Sequence, residues 1–207
     1  RGRPLMIELS RITKRYHKTV AVNDLSLTVP AGTIFGFIGP NGAGKTTTIR
    51  ILGGLIAPDA GLVAINGIDM AKDPVAAKRQ VGFIPDRPYL YEKLTGMEFL
   101  RFIGDLYSVA DNGFRQKAEA ALGRFSLTDW QNDLIEAYSH GMKQRLIMAA
   151  AILHDPAVLI VDEPMVGLDP AGIRMVKALF REMADAGATF FISTHTLSIA
   201  QDLCDRI

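Results

Sequence analysis

The 207 residues are enough for one large domain, or for a domain with a smaller lobe, and such a chain can fold without disulfides or structural metals. Lysine and arginine number 23 against 22 aspartates and glutamates, so the net charge is +1 and a large nucleic-acid-binding surface is not expected. The one cysteine, Cys204, cannot belong to a disulfide framework and fits a reducing compartment. The longest apolar run, 146–153, is too short to span a bilayer, and no signal peptide is apparent, so we expect a soluble protein.

The first third of the chain is predicted to be mainly strands. Alternation of apolar and polar residues, or a short apolar run bounded by turn residues, indicates each of them. The predicted elements are strands at 6–12, 25–29 and 34–38, a helix from Thr46 to Leu52, and a strand at 62–65 that ends in a tight turn at Asn66-Gly67.

The middle of the chain has a helical pattern from Thr95 to about Asn132. It opens with Thr95-Gly96-Met97-Glu98, a possible capping box. Four apolar residues then follow at helical spacing, and we expect them in the core: Phe99, Phe102, Ile103 and Leu106. The all-helical stretch at roughly 85–155 is predicted to form a second lobe.

The last third returns to alternating strands and helices. The continuous apolar run 157–161 is typical of a strand buried on both faces of a parallel sheet. Asp169 and Pro170 provide an N-cap and a first-turn proline for a helix that runs to about Ala186, and 189–193 is the next strand. The pattern indicates an α/β fold.

A glycine-rich loop follows the predicted strand 34–38. Residues 39–46, Gly-Pro-Asn-Gly-Ala-Gly-Lys-Thr, fit the phosphate-binding pattern G-x-x-x-x-G-K-[ST], in which backbone N–H groups and a helix N-terminus bind phosphate oxygens. Lys45 would reach the β- and γ-phosphates, and the Thr46 hydroxyl would ligate Mg²⁺. We disfavour the alternative, a glycine-rich turn that happens to precede a lysine, because the flanking strand and helix are the context that such a loop requires.

Two further segments carry candidate chemistry. Asp162 and Glu163 end the apolar run, where α/β sheets bind ligands. Asp162 would hold the hydration shell of Mg²⁺, and Glu163 would orient or deprotonate the attacking water. Alone, two acids there would more often be a solvated strand end, but the phosphate-binding loop reverses that preference. Ser139 with Gly141, before an apolar helix, suggests a second anion site, with an ordinary N-cap as the alternative.

Four motifs in order make the resemblance specific. They are Ser139-x-Gly141-x-x-Gln144-Arg145, Asp162-Glu163-Pro164, Gly167-Leu168-Asp169 and Ser193-Thr194-His195. In this order the chain resembles the ATP-binding cassette (ABC) ATPases over essentially its whole length. The resemblance implies a P-loop NTPase core with a mostly parallel sheet and N-terminal antiparallel strands. It implies that residues 1–85 and 156–207 form this core and that 86–155 form a smaller helical lobe.

The resemblance also assigns roles. Tyr16 would stack on adenine, Asp169 would communicate across a dimer, and His195 would contact the γ-phosphate beside the other catalytic residues, Lys45 and Glu163. The predicted nucleotide-binding residues are Tyr16, Gly39, Pro40, Asn41, Gly42, Ala43, Gly44, Lys45, Thr46, Thr47, Ser139, Gly141 and Met142. The predicted Mg²⁺ ligands are Thr46, Asp162 and Asp86.

The chain departs from the family pattern in two places. The signature usually reads Leu-Ser-Gly-Gly-Gln, whereas residues 138–142 read Tyr-Ser-His-Gly-Met and keep Ser139 and Gly141, which touch phosphate. This version resembles the ATPase subunits of bacterial multidrug, polysaccharide or lipid exporters. Asp86 stands where the family normally has glutamine; it could approach Mg²⁺, while its role as a γ-phosphate sensor stays open.

The resemblance implies an ATP-hydrolysing motor of a membrane transporter, and the form of the signature favours an exporter. Two copies, or one copy and a related cassette, would clamp ATP head to tail and act on transmembrane subunits that dock near 87–92, from Arg87 to Glu92. The domain would then lie in the cytoplasm at the inner face of the membrane, with no nucleic acid bound. The alternative is a non-transport ABC ATPase acting on nucleic acid or ribosomes. The chain ends 12 residues after His195, where the family usually continues with further strands, so we expect the domain to continue beyond Ile207.

Overall fold

The computed structural model describes residues 3–207 as strands and helices arranged around two sheets. In chain order they are β1 (Leu5–Tyr16), β2 (Thr19–Pro30), β3 (Ile34–Ile38), α1 (Lys45–Leu52), β4 (Ala60–Ile65), β5 (Ile68–Asp69), α2 (Pro74–Arg79), β6 (Val81–Ile84), α3 (Gly96–Leu106), α4 (Asp111–Arg124), α5 (His140–Ile152), β7 (Val158–Asp162), α6 (Pro170–Asp185), β8 (Thr189–Thr194) and α7 (Leu197–Leu203), with 3₁₀ turns at Thr128–Trp130 and Ile135–Ala137. Within this range no helix is both long enough and apolar enough to cross a membrane.

The first sheet is antiparallel and has the strand order β2-β1-β4-β5. β1 continues to Tyr16, four residues beyond the predicted end at Ile12, because the chain reverses tightly and pairs Tyr16 with Thr19. The apolar side chains of β1 and β4, with those of α1, share one core with the inner face of the second sheet. The first sheet therefore packs beside the loop between β3 and α1.

The second sheet is parallel and has the strand order β3-β8-β7-β6. Every residue of β7 and β8 is buried, as the apolar runs in the sequence predict. Asp162 at the end of β7 lies opposite Ser193 of β8. Since the strands are parallel, the segments that follow β3, β6, β7 and β8 all leave from the same edge of the sheet.

The helices between β6 and β7 pack on one another around Phe99, Phe114, Phe125 and Leu146. α3 begins with the predicted capping box: the Thr95 hydroxyl accepts the Glu98 N–H, and the Glu98 carboxylate accepts the Thr95 N–H. The predicted N-cap of α6 is also confirmed, since the Asp169 side chain caps this helix and Pro170 lies in its first turn.

Two of the four residues predicted for the core of α3 lie at the surface. Phe99 is buried and Ile103 is partly buried, but Phe102 is 39% exposed and Leu106 is 62% exposed. The inner face of α3 runs through Phe99 and Gly104, and Gly104 lets the ring of Phe114 approach closely. With this face turned inward, Phe102 lies on the outside, where its ring packs edge-on against the Tyr91 ring with 5.3 Å between the ring centres. Leu106 lies in the exposed last turn.

Cys204 follows α7 and packs on β3. A Cβ atom added to Gly36 would lie 2.8 Å from the Cys204 sulfur, so the glycine makes room for the thiol. Burial raises the pKa of the Cys204 thiol to about 11, with a further contribution from the neighbouring Asp205 carboxylate. Cys204 is therefore a packing residue whose thiol is shielded by β3.

Candidate nucleotide-binding site

The loop between β3 and α1 has the backbone of a phosphate-binding loop. Gly42 and Gly44 have φ of 83° and 86°, in the left-handed region that favours glycine. Gly44 is the N-cap of α1, and no side chain caps the first turn of this helix. A Cβ atom at Gly44 would overlap the carbonyl oxygen of Ala21 in β2. Only glycine fits there, and the start of α1 is left open to an anion.

Lys45 is held over this loop. Its side chain is largely buried, and its Nζ donates hydrogen bonds to the carbonyl oxygens of Gly39 at 2.6 Å and Pro40 at 2.9 Å. These carbonyls orient the ammonium group without neutralising it. A phosphate oxygen that arrived beside the loop would therefore meet an already oriented positive charge.

A cavity of about 390 Å³ opens over the loop and brings most of the predicted site residues together. They come from four separate segments of the chain. The predicted residues that line it are Asn41, Gly42, Gly44, Lys45, Thr46, Thr47, Asp86, Asp162, Glu163 and His195. Three residues that the sequence reasoning missed also line it: Thr19, Val20 and Ala21.

These three residues belong to the start of β2, and Tyr16 is not among the lining residues. The Tyr16 ring is 42% exposed, with Lys14 Nζ 5.8 Å from its centre. Only the two-residue turn between β1 and β2 separates Tyr16 from the cavity wall, so its stacking role stays a prediction. The predicted strands 6–12 and 25–29 leave these residues in the connection between them, so nothing in the sequence indicated their place at the cavity.

Three acidic side chains line the cavity and form what we call its acidic wall: Asp86, Asp162 and Glu163. Asp162 is buried, and this burial raises the pKa of its carboxyl above the ordinary value. The carboxylates of Asp86 and Glu163 raise the pKa further, and Lys45 lowers it. The side chain of Asp86 is therefore close enough to Asp162 for the two charges to interact. This excess of negative charge favours a cation at this wall.

The oxygens at this wall are of the kind that Mg²⁺ prefers. Mg²⁺ is usually held by one or two carboxylates, several waters and substrate phosphates rather than by a cage of protein ligands. Among residues 3–207, no three or more His, Cys, Asp or Glu side chains are arranged to hold a metal on their own. Asp162, Asp86 and the Thr46 hydroxyl fit a metal that also binds phosphate.

Glu163 is fixed by a network at the end of β8. Its backbone has φ of 48°, which is unusual for a residue with a side chain, and its N–H donates to the Ser193 carbonyl at 2.9 Å. Glu163 Oε1 accepts the backbone N–H of His195 at 2.9 Å and lies 2.6 Å from His195 Nδ1. Thr194 Oγ1 donates to Oε2 at 3.1 Å. The carboxylate is held in one orientation beside an exposed imidazole.

The start of α5 is built differently and lies elsewhere. Ser139 is its N-cap, with Oγ accepting the Met142 N–H at 3.2 Å. A Cβ atom at Gly141 would lie 3.3 Å from the Gly167 carbonyl oxygen. Ser139, Gly141 and Met142 are not among the residues that line the cavity at the phosphate-binding loop. Within one chain the two helix N-termini therefore do not share a ligand.

The family model described as "ABC transporter" matches residues 22–166. The linearmycin resistance ATP-binding protein LnrL of Bacillus subtilis (strain 168) is 36% identical over 202 residues, which cover 98% of this chain and 65% of LnrL. The daunorubicin/doxorubicin resistance ATP-binding protein DrrA of Streptomyces peucetius is 40% identical over 201 residues, covering 97% of this chain and 61% of DrrA. The chain thus spans just under two thirds of the length of these two relatives.

A solved structure of an ATP-binding subunit of an ABC transporter superposes with a TM-score of 0.90 at 34% identity, over 97% of this chain and 83% of that one. The mixed sheets, the phosphate-binding loop and the order of the later motifs agree with this match. The chain belongs to the ATP-binding family of ABC transporters.

Proposed function

We propose that this domain binds ATP with Mg²⁺ and hydrolyses it as the motor of a membrane ABC transporter. One observation carries the proposal: the open N-terminus of α1, the Lys45 ammonium and the oriented Glu163 carboxylate all face one cavity. An anion site beside a fixed base and a cluster of carboxylates is what phosphoryl transfer to water needs.

ATP binding would use the loop and Lys45. Backbone N–H groups of the loop and the first turn of α1 would contact phosphate oxygens. Lys45 Nζ already donates to two carbonyl oxygens and would also contact the β- and γ-phosphates. Thr46 and Asp162, with Asp86 beside them, would hold Mg²⁺, which neutralises phosphate charge when it is bound. The adenine ring of ATP would lie toward Tyr16 and the start of β2.

Hydrolysis would use Glu163 and His195. Glu163 would orient a water molecule for in-line attack on the γ-phosphorus and accept its proton, because its carboxylate is already held by Thr194 and the His195 backbone. The His195 side chain is 58% exposed toward the open site, so it can turn from Glu163 to the γ-phosphate. The catalytic effect would come from positioning and charge rather than from covalent chemistry.

A second copy, or a related cassette, would complete the site. Residues up to 85 and from 156 onward would form the ATP-binding core, and 86–155 the lobe with the signature helix α5. Since Ser139, Gly141 and Met142 lie outside the cavity of their own chain, they would bind the γ-phosphate of the ATP held by the other copy. Asp169 would form contacts that connect the two ATP sites of the dimer.

The membrane partner would dock near residues 87–92. Tyr89 and Tyr91 are 79% and 60% exposed there, and the outward ring of Phe102 extends the apolar surface from Tyr91. LnrL and DrrA are drug-resistance proteins by name, which favours export and a place at the inner face of the cell membrane. Replacing both tyrosines with serine should abolish co-purification of the full-length protein with its membrane subunit and leave ATP binding intact.

Glu163→Gln tests the ATPase itself. We expect hydrolysis to fall by about 100- to 10,000-fold, because the base is lost, while ATP binding persists because the loop is untouched. The variant should also form a dimer that depends on ATP, visible by size-exclusion chromatography. Glu182→Gln, which removes a charge from a distant ion pair with Arg124, is the matched control and should hydrolyse ATP normally. Near-normal turnover in Glu163→Gln would refute the proposed role.

A further inference from the structure

Gln144, in the second turn of α5, is a buried polar residue that the proposed mechanism does not use. The side chain is fully buried, and neither Oε1 nor Nε2 has a hydrogen-bond partner among residues 3–207. Leaving both ends of an amide unpaired destabilises a protein. Met148, one turn later on the same helix, is equally buried and apolar. An apolar side chain such as that of Met148 leaves no polar group unpaired, so the amide at position 144 needs another explanation.

The direction of the Gln144 side chain follows from the neighbours of α5. Ala151, seven residues on, lies on the same helical face, and its carbonyl lies against Gly82 of β6. Leu153 is on the opposite face, 3.5 Å from a Cβ atom added to Gly104 of α3. Gln144 therefore faces the parallel sheet and not the neighbouring lobe helices.

The position of Gln144 along the strands of the parallel sheet follows from the way α5 connects to β7. α5 leads into β7, so it runs antiparallel to β6 and β7, and Gln144 lies about 10 Å from Ala151 toward the carboxyl ends of these strands. At Gly141, one turn earlier, an added Cβ atom would lie 3.3 Å from the carbonyl oxygen of Gly167. Gln144 thus lies beneath the places where the segments carrying Asp86 and Glu163 leave the sheet.

We propose that Gln144 is a positioning residue that links the signature helix to these two segments. A primary amide can donate two hydrogen bonds and accept others. The amide is unpaired in the part of the chain that the structure describes. When ATP and Mg²⁺ bind, segments 85–86 and 164–167 move toward the phosphates, and their backbone groups become hydrogen-bond partners of the amide. ATP binding thereby sets the position of Ser139 and Gly141 for the other copy. This inference rests on the proposed function.

Gln144→Met tests the proposal because it should change stability and binding in opposite directions. Without nucleotide, the temperature midpoint of unfolding should rise, since an unpaired buried amide is replaced by an apolar chain of similar size. The dissociation constant for ATP with Mg²⁺ should rise by about 5- to 30-fold, since one or two hydrogen bonds of the bound arrangement are lost. Met148→Leu, on the same face, is the control and should leave ATP affinity unchanged.

Each other outcome is decisive. A lower midpoint in Gln144→Met, or failure of this variant to fold, would mean that the amide already has hydrogen-bond partners without nucleotide. Unchanged ATP affinity would mean that the amide forms no hydrogen bond that depends on ATP. Nitrogen-15 spectra of the wild-type side-chain amide give a second measurement: its resonances should shift and its hydrogen exchange should slow on adding ATP with Mg²⁺. Gln80, already bonded to Asn66, should not change. A wild-type protein that fails to bind ATP would instead overturn the proposed function.

Discussion

Two helices of this domain begin at candidate phosphate sites, and their first turns differ. α1 follows Gly44 and has no side-chain cap, whereas α5 follows Ser139, whose hydroxyl caps it. The uncapped helix opens into the cavity of its own chain, and the capped helix lies outside it. The difference suggests that α1 is built to take a ligand within its own chain, while α5 is complete without one and can exchange its cap for a phosphate brought by another copy.

The largest expected effect comes from adding a methyl group at the uncapped helix. Gly44→Ala should lower the free energy of unfolding by about 3 kcal/mol or more, because the left-handed backbone is strained and the methyl overlaps the Ala21 carbonyl. Gly141→Ala in the first turn of α5 should stay within about 1 kcal/mol, because helix propensity offsets the close carbonyl. Urea unfolding of both variants measures the contrast. Equal losses in the free energy of unfolding would show that the two helix starts tolerate a methyl group equally well.

The capped helix can be tested by separating the cap from the anion site. Ser139→Ala should cost about 1 kcal/mol of stability and Ser139→Asp much less, since aspartate also caps helices. Both variants should bind ATP normally as monomers and fail to form the ATP-dependent dimer, the aspartate because it repels phosphate. Thermal unfolding and size-exclusion chromatography report the two effects. Loss of ATP binding by monomeric Ser139→Ala would place this serine in its own chain's site.

The smallest expected effect concerns the acidic wall that faces α1. Asp86 raises the pKa of Asp162, so its charge acts near that carboxylate and should oppose the γ-phosphate unless Mg²⁺ lies between them. In Asp86→Gln, ATP affinity should depend less steeply on Mg²⁺ than in the wild type, by a few-fold, equivalent to about 1 kcal/mol or less. Calorimetric titration of ATP with and without Mg²⁺ measures this. Identical dependence in both proteins would mean that Asp86 does not act on the metal.

Local signals predicted most of the fold and the centre of the site. The phosphate-binding loop is a contiguous pattern between a strand and a helix, and Asp162 ends an apolar run that predicts a buried strand; the structure has both features at these positions, and the roles of the residues stay predictions. The outward turn of Phe102 could not be predicted, because it depends on the contact between Gly104 and Phe114 on another helix. Val20 was missed for a similar reason: it reaches the cavity only because β2 packs against the loop.

The unpaired amide of Gln144 was also invisible in the sequence. A glutamine after the signature fits an exposed helix as well as a buried one, and only the packing of α5 on the sheet removes its access to water. The pairing of Glu163 with His195 could be predicted from the sequence only in part. Each residue was selected by its motif, and the parallel register of β7 and β8 brought the two together.

The packing of Cys204 against Gly36 has a practical consequence for attaching probes to this domain. Maleimides and related reagents react with the thiolate, and because burial raises the pKa of the Cys204 thiol to about 11, this residue carries much less thiolate at neutral pH than an exposed cysteine does. A cysteine introduced on the exposed surface should therefore be modified selectively, with the native thiol left in place. Fluorescent or spin labels can then report the distance between two copies without any change to the interior of the domain.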